Sequence, residues 1–103
     1  MTNNRLEILR GMVANAPSDS FARYGLAMEY VKSGALQEAV DEFTRLLEMN
    51  EKYPAAYFHG GQALEKLGKL DEARALYEKG IEVTTALGDH HTRSELQAAL
   101  DLV

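Results

Sequence analysis

Cysteine is absent from the 103 residues, which excludes disulfides, thiolate zinc sites, iron–sulfur ligation and thiol nucleophiles together. Only two prolines occur, β-branched residues are sparse, and no run alternates apolar with polar residues over the length of a strand. A chain of this length buries roughly 60–68% of the surface that its unfolded form exposes, which supports one modest core. We therefore expect a single all-α domain over residues 1–103, stabilised by packed apolar side chains and holding no cofactor.

Clusters of basic residues are missing as well. Sixteen acidic residues against eleven basic ones give a formal net charge of −5, and Lys and Arg are nowhere grouped. Binding to a phosphate backbone depends on such groups, so we expect no nucleic-acid partner. Neither the start of the chain, Met1-Thr2-Asn3-Asn4-Arg5, nor any later stretch forms the apolar run of a signal peptide or a membrane span. The sequence predicts no membrane partner and a soluble, cytoplasmic protein.

Turn-forming residues divide the chain at regular intervals into segments of helical length. They cluster at 15–19, 33–34, 50–54, 68–69 and 88–89. Between these clusters, apolar residues recur at the three-and-four spacing of one helix face. One such stripe consists of Leu36, Ala39, Val40, Phe43, Leu46 and Leu47. The pattern predicts about six helices with short connections.

Residues 20–53 repeat in residues 54–87 with a period of 34. Rings fall on rings and small residues on small residues where a packed helix pair needs them. These similar pairs are Tyr24 with Phe58, Ala27 with Gly61, Tyr30 with Leu64, Phe43 with Tyr77 and Leu47 with Ile81. The identical pairs are Ala22 with Ala56, Lys32 with Lys66, Gly34 with Gly68, Leu36 with Leu70, Glu38 with Glu72, Ala39 with Ala73, and Glu48 with Glu82.

At these residues the chain resembles the tetratricopeptide repeat family, whose unit is a helix–turn–helix with small residues where the helices cross. The resemblance implies an α-α superhelix of antiparallel helix pairs, with complete repeats at 20–53 and 54–87. Gly34 and Gly68 would end the first helix of each repeat, because glycine takes the left-handed conformation at little steric cost. The family's proline at the repeat boundary is matched only by Pro17.

The same register extends in both directions. Residues 3–16 align with the second helix of a repeat, so we expect a half-repeat helix there without its own first helix. Residues 89–102 are expected to form a single carboxy-terminal capping helix. Its amino terminus offers Asp89 as a cap, or Thr92 with Glu95 as an alternative capping box.

The resemblance also implies a protein-interaction module without enzymatic activity. In such a solenoid the first helices line the concave side, where large rings and a flexible thioether would supply contact area for a partner peptide or protein. The alternative is that these rings are core residues, with Tyr24 covered by the amino-terminal helix. The predicted partner-binding residues are Phe21, Tyr24, Met28, Tyr53, Phe58, Gln62 and Glu65.

Self-association is a second hypothesis for function. A half-repeat helix leaves apolar residues such as Leu6, Leu9 and Met12 without their usual cover. Open ends of a repeat array invite stacking unless they are capped. The alternative to a different protein as the partner is therefore a self-associating scaffold, in which the half-repeat helix or the carboxy-terminal end helix docks on a second copy in a homodimer and completes the solenoid.

One known version of this fold grips the acidic carboxy-terminal tails of heat-shock chaperones with Lys and Asn side chains. Tyr24 and Met28 stand where the first unit of that clamp has Lys and Asn. His59 replaces the Asn of the second unit and Asp89 a Lys of the third, while only Arg93 agrees. We expect no binding of such tails.

Candidate groups for catalysis or metal binding are few. His90 and His91 are adjacent, so on a helix they point about 100° apart and do not form the one-face pair of a zinc site. His59 lies on a different helix, and we expect no metal site. No serine or threonine has the sequence context of a nucleophile. Two carboxylate pairs are expected to face water or a helix amino terminus: Asp41-Glu42 and Asp71-Glu72.

Overall fold

The computed structural model describes residues 4–103, and over that range it consists of six α-helices without a strand. They are α1 (Asn4–Asn15), α2 (Ser20–Ser33), α3 (Leu36–Met49), α4 (Pro54–Lys66), α5 (Leu70–Leu87) and α6 (His90–Asp101). The predicted all-α class is confirmed. The half-repeat helix was expected from position 3, which lies outside the described residues.

Glycines in the left-handed conformation end the first helices, as the sequence predicts. Gly34 has φ of 82° and Gly68 has φ of 77°. After each glycine the next backbone N–H turns back to the helix, from Ala35 to the carbonyl of Tyr30 and from Lys69 to that of Leu64, both at 2.9 Å. These bonds satisfy carbonyls that the last helical turn would leave unpaired. The connections that follow α2 and α4 are therefore short.

Side-chain caps begin two of the helices. The carboxylate of Asp19 accepts the backbone N–H of Ala22 at 3.1 Å at the start of α2. The carboxylate of Asp89 accepts the N–H of Thr92 at 3.1 Å at the start of α6. Of the two caps proposed for α6, the structure therefore uses Asp89. Because this bond is made to the ionised carboxylate, it lowers the pKa of Asp89 below 3.8.

Consecutive helices pack against one another and form an α-α superhelix, in which α4 also touches α2 and α6. The apolar interior divides into two clusters that meet at α4. The first core cluster lies between α2, α3 and α4 and consists of Ala27, Ala39, Phe43, Leu46 and Ala56. The second core cluster lies between α4, α5 and α6 and consists of Tyr57, Leu64, Ala73, Tyr77, Leu96 and Ala99.

Glycine permits the closest helix crossings of the second core cluster. A Cβ added to Gly61 would lie 2.1 Å from Cε1 of Tyr77, so the ring of Tyr77 fills the space that an alanine would occupy. A Cβ added to Gly80 would lie 2.6 Å from Cβ of Tyr57 and 2.9 Å from Cδ1 of Leu96. The crossing of α5 with α6 thus takes its small residue from α5.

A buried ion pair corrects one expectation. Glu42 was expected to face water or a helix terminus, but only 7% of the residue is exposed. Its carboxylate accepts from Nη1 of Arg23 at 2.8 Å and from Nη1 of Arg45 at 2.9 Å. Arg23 is itself buried, and its Nη2 donates to the carbonyl of Pro17 at 3.1 Å. Glu42 therefore ties α3 to α2.

Candidate functional site

Four aromatic side chains form a continuous row on the face built by α2 and α4. The ring centre of Tyr24 lies 5.3 Å from that of Tyr53 and 6.1 Å from that of His59. The ring of His59 in turn lies 5.2 Å from that of Phe58, edge to face. We call Tyr24, Tyr53, Phe58 and His59 the aromatic strip. It joins α2, the connection before α4, and α4.

Each ring of the aromatic strip is half-buried. Tyr24 and Tyr53 pack against the first core cluster, and Phe58 packs against the second. The core interpretation is thus correct for the buried part of Tyr24, Tyr53 and Phe58, while part of each of the four residues stays exposed. Burial raises the pKa values of Tyr24 and Tyr53 and lowers the pKa of His59. His59 is therefore biased towards its neutral form among its aromatic neighbours.

A shallow cavity of about 430 Å³ adjoins Tyr24 at the end of the face nearest α1. Phe21 stands 75% exposed at this cavity, and Met28 is half-buried beside it. Nε of Arg5 on α1 pairs with Oε2 of Glu29 on α2 at 3.1 Å. The cavity is lined by Arg5, Phe21, Tyr24, Gly25, Met28, Glu29, Val31 and Lys32. Tyr24 thus borders an opening and is not enclosed under α1.

The two polar residues of the predicted site are engaged within the chain. Nε2 of Gln62 donates to the hydroxyl of Tyr77 at 3.1 Å, and that hydroxyl donates to the carboxylate of Glu65. Burial, together with the bond to Glu65, raises the pKa of Tyr77. Gln62 and Glu65 therefore hold a core tyrosine in place, while both remain half-exposed on the same face of α4.

The sequence placed Tyr24, Tyr53 and Phe58 in one groove, and the structure brings them together. The sequence did not predict His59 as a member of this row, because His59 was considered only as a metal ligand or a clamp residue. The neighbouring position, next to Phe58 in the chain and one residue before Gly60-Gly61, was the available signal. The imidazole of His59 lies between the rings of Tyr24 and Phe58, so it serves mainly as a further aromatic contact surface.

Apolar residues on α1 are only partly uncovered. Leu9 is 9% exposed and packs beside Gly25 of α2, so its predicted exposure was wrong. α1 packs against α2, and Leu9 fits closely there because Gly25 has no side chain. Met12 is 45% exposed and Ile8 is 63% exposed. The open side of α1 therefore consists of Ile8 and Met12.

Other side chains that could carry chemistry are dispersed. His91 Nε2 lies 3.4 Å from Oε1 of Glu95 one turn along α6, and Asp89 is occupied as a cap. Among residues 4–103, no three His, Asp or Glu side chains are grouped in a way that could hold a metal ion. Within the same range, no helix has the length and apolar character needed to cross a bilayer.

Comparison with known proteins gives the same architecture. A solved tetratricopeptide repeat domain protein from Salinibacter ruber is 38% identical, with a TM-score of 0.75, and the match covers 80% of this chain and 91% of that one. PcrH, solved in complex with the chaperone-binding region of PopD, has a TM-score of 0.89 at 19% identity, covering 94% and 74%. The type III secretion translocator chaperone SycD of Yersinia enterocolitica has a TM-score of 0.87 at 18% identity, covering 95% and 74%. At that identity the last two establish a shared fold.

Sequence comparison extends this result to the family. A repeat-containing protein of Pseudomonas aeruginosa is 28% identical over 95 residues, which cover 92% of this chain and 90% of the relative. That relative is named as a tetratricopeptide repeat protein. The model of the tetratricopeptide repeat family matches residues 24–85, which is more than half of the chain. This chain therefore belongs to the tetratricopeptide repeat family.

Proposed function

We propose that this chain is a protein-interaction module that binds a segment of a partner protein on the face built by α2 and α4, without catalysis. The aromatic strip is the observation that carries the proposal. Its four rings come from three segments, contact one another in a row, and stay partly exposed. Rings already held by packing lose little side-chain freedom when a partner covers them, so they are suitable anchors.

The partner segment is expected to present apolar side chains at helical or alternate spacing. The exposed ring of Phe21 and the half-buried Met28 extend the contact surface beyond Tyr24. A thioether adapts to the shape of the partner, and the ring adds apolar area. The module would act in the cytoplasm, and its partner belongs to a class different from acidic chaperone tails.

A solved structure of the same fold supports this proposal. PcrH, which shares it, has been solved in complex with the chaperone-binding region of PopD. A chain of this architecture can therefore hold a segment of another protein. The identity of 19% carries the fold to the present chain, and the binding mode proposed here depends on the aromatic strip itself.

Selection of displayed random 16-residue peptides, followed by fluorescence anisotropy titration of the best sequence, tests the proposal. Replacing Phe21, Tyr24 or Phe58 by Ala should weaken binding at least about tenfold, as expected for anchor residues. Leu102→Ala is the matched control, because Leu102 is an 87% exposed apolar residue outside the strip. Far-UV circular dichroism checks that each variant stays helical. Wild-type affinity in the Phe21, Tyr24 and Phe58 variants alike would refute the proposed site.

Homodimerisation through α1 is a second candidate function. It is favoured by the exposure of Ile8 and Met12, one turn apart on α1. Light scattering after gel filtration should then give about twice 11.4 kDa, and Ile8→Glu should restore the mass of the monomer. A monomeric wild-type protein at millimolar concentration would eliminate this candidate.

A further inference from the structure

A second groove lies on the face built by α3 and α5. α4 packs against both helices, but within residues 4–103 no Cα of α3 lies within 8 Å of one in α5. The space between them forms an open groove of about 510 Å³ with α4 at its floor. We call it the α3–α5 groove. Its lining residues are Val40, Phe43, Thr44, Leu47, Glu48, Glu51, Tyr57, Gly60, Leu64, Glu72, Ala75, Leu76 and Lys79.

The walls and floor of the α3–α5 groove are apolar. Val40 and Leu47 of α3 and Leu76 of α5 are half-buried, so part of each side chain faces the open space. Ala75 is exposed on the α5 side. At the floor, Gly60 has no side chain, and a Cβ there would lie 3.0 Å from Cδ2 of Leu76. The glycine therefore lets Leu76 of α5 and Phe43 of α3 pack closely against α4 at the floor of the groove.

Acidic side chains surround this apolar surface. Glu48, Glu51 and Glu72 line the groove and are exposed. Over the described part of the chain, no Lys, Arg or His forms an ion pair with any of these three carboxylates. The single basic residue at the groove, Lys79, lies 3.7 Å from Oε1 of Glu82 on its own helix. The rim therefore presents unneutralised negative charge beside apolar walls.

We propose that the α3–α5 groove binds an amphipathic helix of a partner protein whose apolar stripe is flanked by Lys or Arg. From Val40 to Glu48 the groove follows nine residues of α3, and the eight steps between them span about 12 Å at 1.5 Å per residue. Two turns of a helix fit along it, with apolar anchors at i, i+3 or i+4, and i+7. Basic side chains beside that stripe would meet the three carboxylates. Nucleic acids and anionic membranes are repelled by the same charge.

A second copy of this chain is the competing occupant. α1 carries Arg5, Ile8 and Met12 at three-and-four spacing, and all three are exposed. Arg5, however, is already paired with Glu29. A basic residue on the helix of a different protein would not already be paired with a carboxylate of this chain. This favours a different protein as the occupant of the groove. The proposal is independent of the aromatic strip, which lies on the face of α2 and α4.

Two fluorescently labelled 18-residue helical peptides serve as the probe. Both carry the same stripe of Leu, and one has Lys while the other has Glu at the flanking positions. The Lys peptide should bind at least about tenfold more tightly than the Glu peptide, and its affinity should fall with rising salt because exposed charges are screened. Anisotropy titrations at low and high sodium chloride give both results.

Matched variants locate the binding surface. Glu48→Gln with Glu72→Gln should weaken the Lys peptide about tenfold. Glu38→Gln with Glu78→Gln removes the same charge from exposed positions on the same two helices outside the groove, and should leave the affinity unchanged. Ala75→Trp should block the groove and abolish binding. Ala14→Trp, at an exposed position on α1, is its control.

The proposal is supported when the Lys peptide is preferred, when Ala75→Trp abolishes its binding, and when a Phe21→Ala variant binds it as tightly as the wild type does. Equal binding of the two peptides would overturn it. Equal losses in the groove and control variants would overturn it as well. A wild-type dimer that becomes monomeric in Ala75→Trp would assign the groove to a second copy and refute the partner helix. Each of these results is separable from failure of the aromatic strip, because the strip variants leave the α3–α5 groove unchanged.

Discussion

Gly61→Ala tests the close approach of α4 and α5 at the second core cluster. The new Cβ would lie 2.1 Å from Cε1 and 2.6 Å from Cζ of Tyr77, whereas ordinary contacts of this kind are 3.4–4 Å. The ring must therefore shift by well over an ångström. It is fully buried, and its hydroxyl is held by Gln62 and Glu65, so it has little room to move. We expect the substitution to destabilise the protein.

Two opposing effects set the size of the loss. Alanine is favoured over glycine inside a helix by about 1 kcal/mol. Overpacking a filled core costs about 1–3 kcal/mol, and the overlap at Tyr77 places this site at the upper end. The expected net loss is about 2 kcal/mol in the free energy of unfolding. For a domain of about 100 residues this lowers the melting temperature by roughly 8–16 °C.

Urea unfolding followed by circular dichroism measures the change against an internal control. Gly11→Ala makes the same substitution inside α1, where an added Cβ meets no atom within 4 Å, and should stabilise the protein by about 0.5–1 kcal/mol. Adding Tyr77→Phe to Gly61→Ala should recover part of the loss, because the ring is no longer held at its hydroxyl. The first repeat already pairs Ala27 with Phe43 at this register. A Gly61→Ala variant as stable as the wild type would refute the close approach.

Three further predictions concern ionisable groups. Glu42→Leu should lower the free energy of unfolding, measured in urea, by about 3–5 kcal/mol, because it leaves the buried guanidinium of Arg23 without its carboxylate. Adding Arg23→Met should restore most of the loss. A small effect of the single change would contradict this. The cap bond lowers the pKa of Asp89, so the stability it adds is present above pH 3.8 and is lost as the pH falls through the lowered value. Asp89→Asn keeps a capping oxygen without titrating, so its melting temperature should depend less on pH in this acidic range than that of the wild type. Burial lowers the pKa of His59, so the stability linked to its neutral form is full above pH 6.5 and declines as the pH falls below it. Nuclear magnetic resonance titration of its ring should give a midpoint below 6.5, and a midpoint at or above that value would show that the ring is not desolvated.

The fold was accessible from the sequence because its period constrains many positions together. Gly34 and Gly68 predicted where the first helices end, and both have positive φ. Ala27, Ala39 and Ala73 predicted the close crossings, and all three are fully buried. The exact division into repeats stays a prediction. A period identifies equivalent positions in this way, but it does not show which side chains on different helices contact each other.

The buried ion pair of Arg23 with Glu42 is a contact of this kind. Arg23 and Glu42 each look like surface residues, because isolated charges are seldom buried. In the register of 34 they align with Tyr57 and Leu76, which are apolar. Two charged residues at two apolar positions of the same repeat were the signal of a buried pair. For His59 the register gave no signal, because its register partner is Gly25, and its position beside Phe58 was the one indication of its place in the aromatic strip.

The order of helix contacts has a consequence for folding kinetics. Apart from the contacts of α4 with α2 and α6, each helix packs on its neighbour in the chain. Loops that must close before such contacts form are short, so the entropic barrier is low. We expect folding within microseconds to milliseconds, starting in any adjacent helix pair and spreading outwards. α4 takes part in both core clusters, so a slow step introduced there would delay both halves of the molecule.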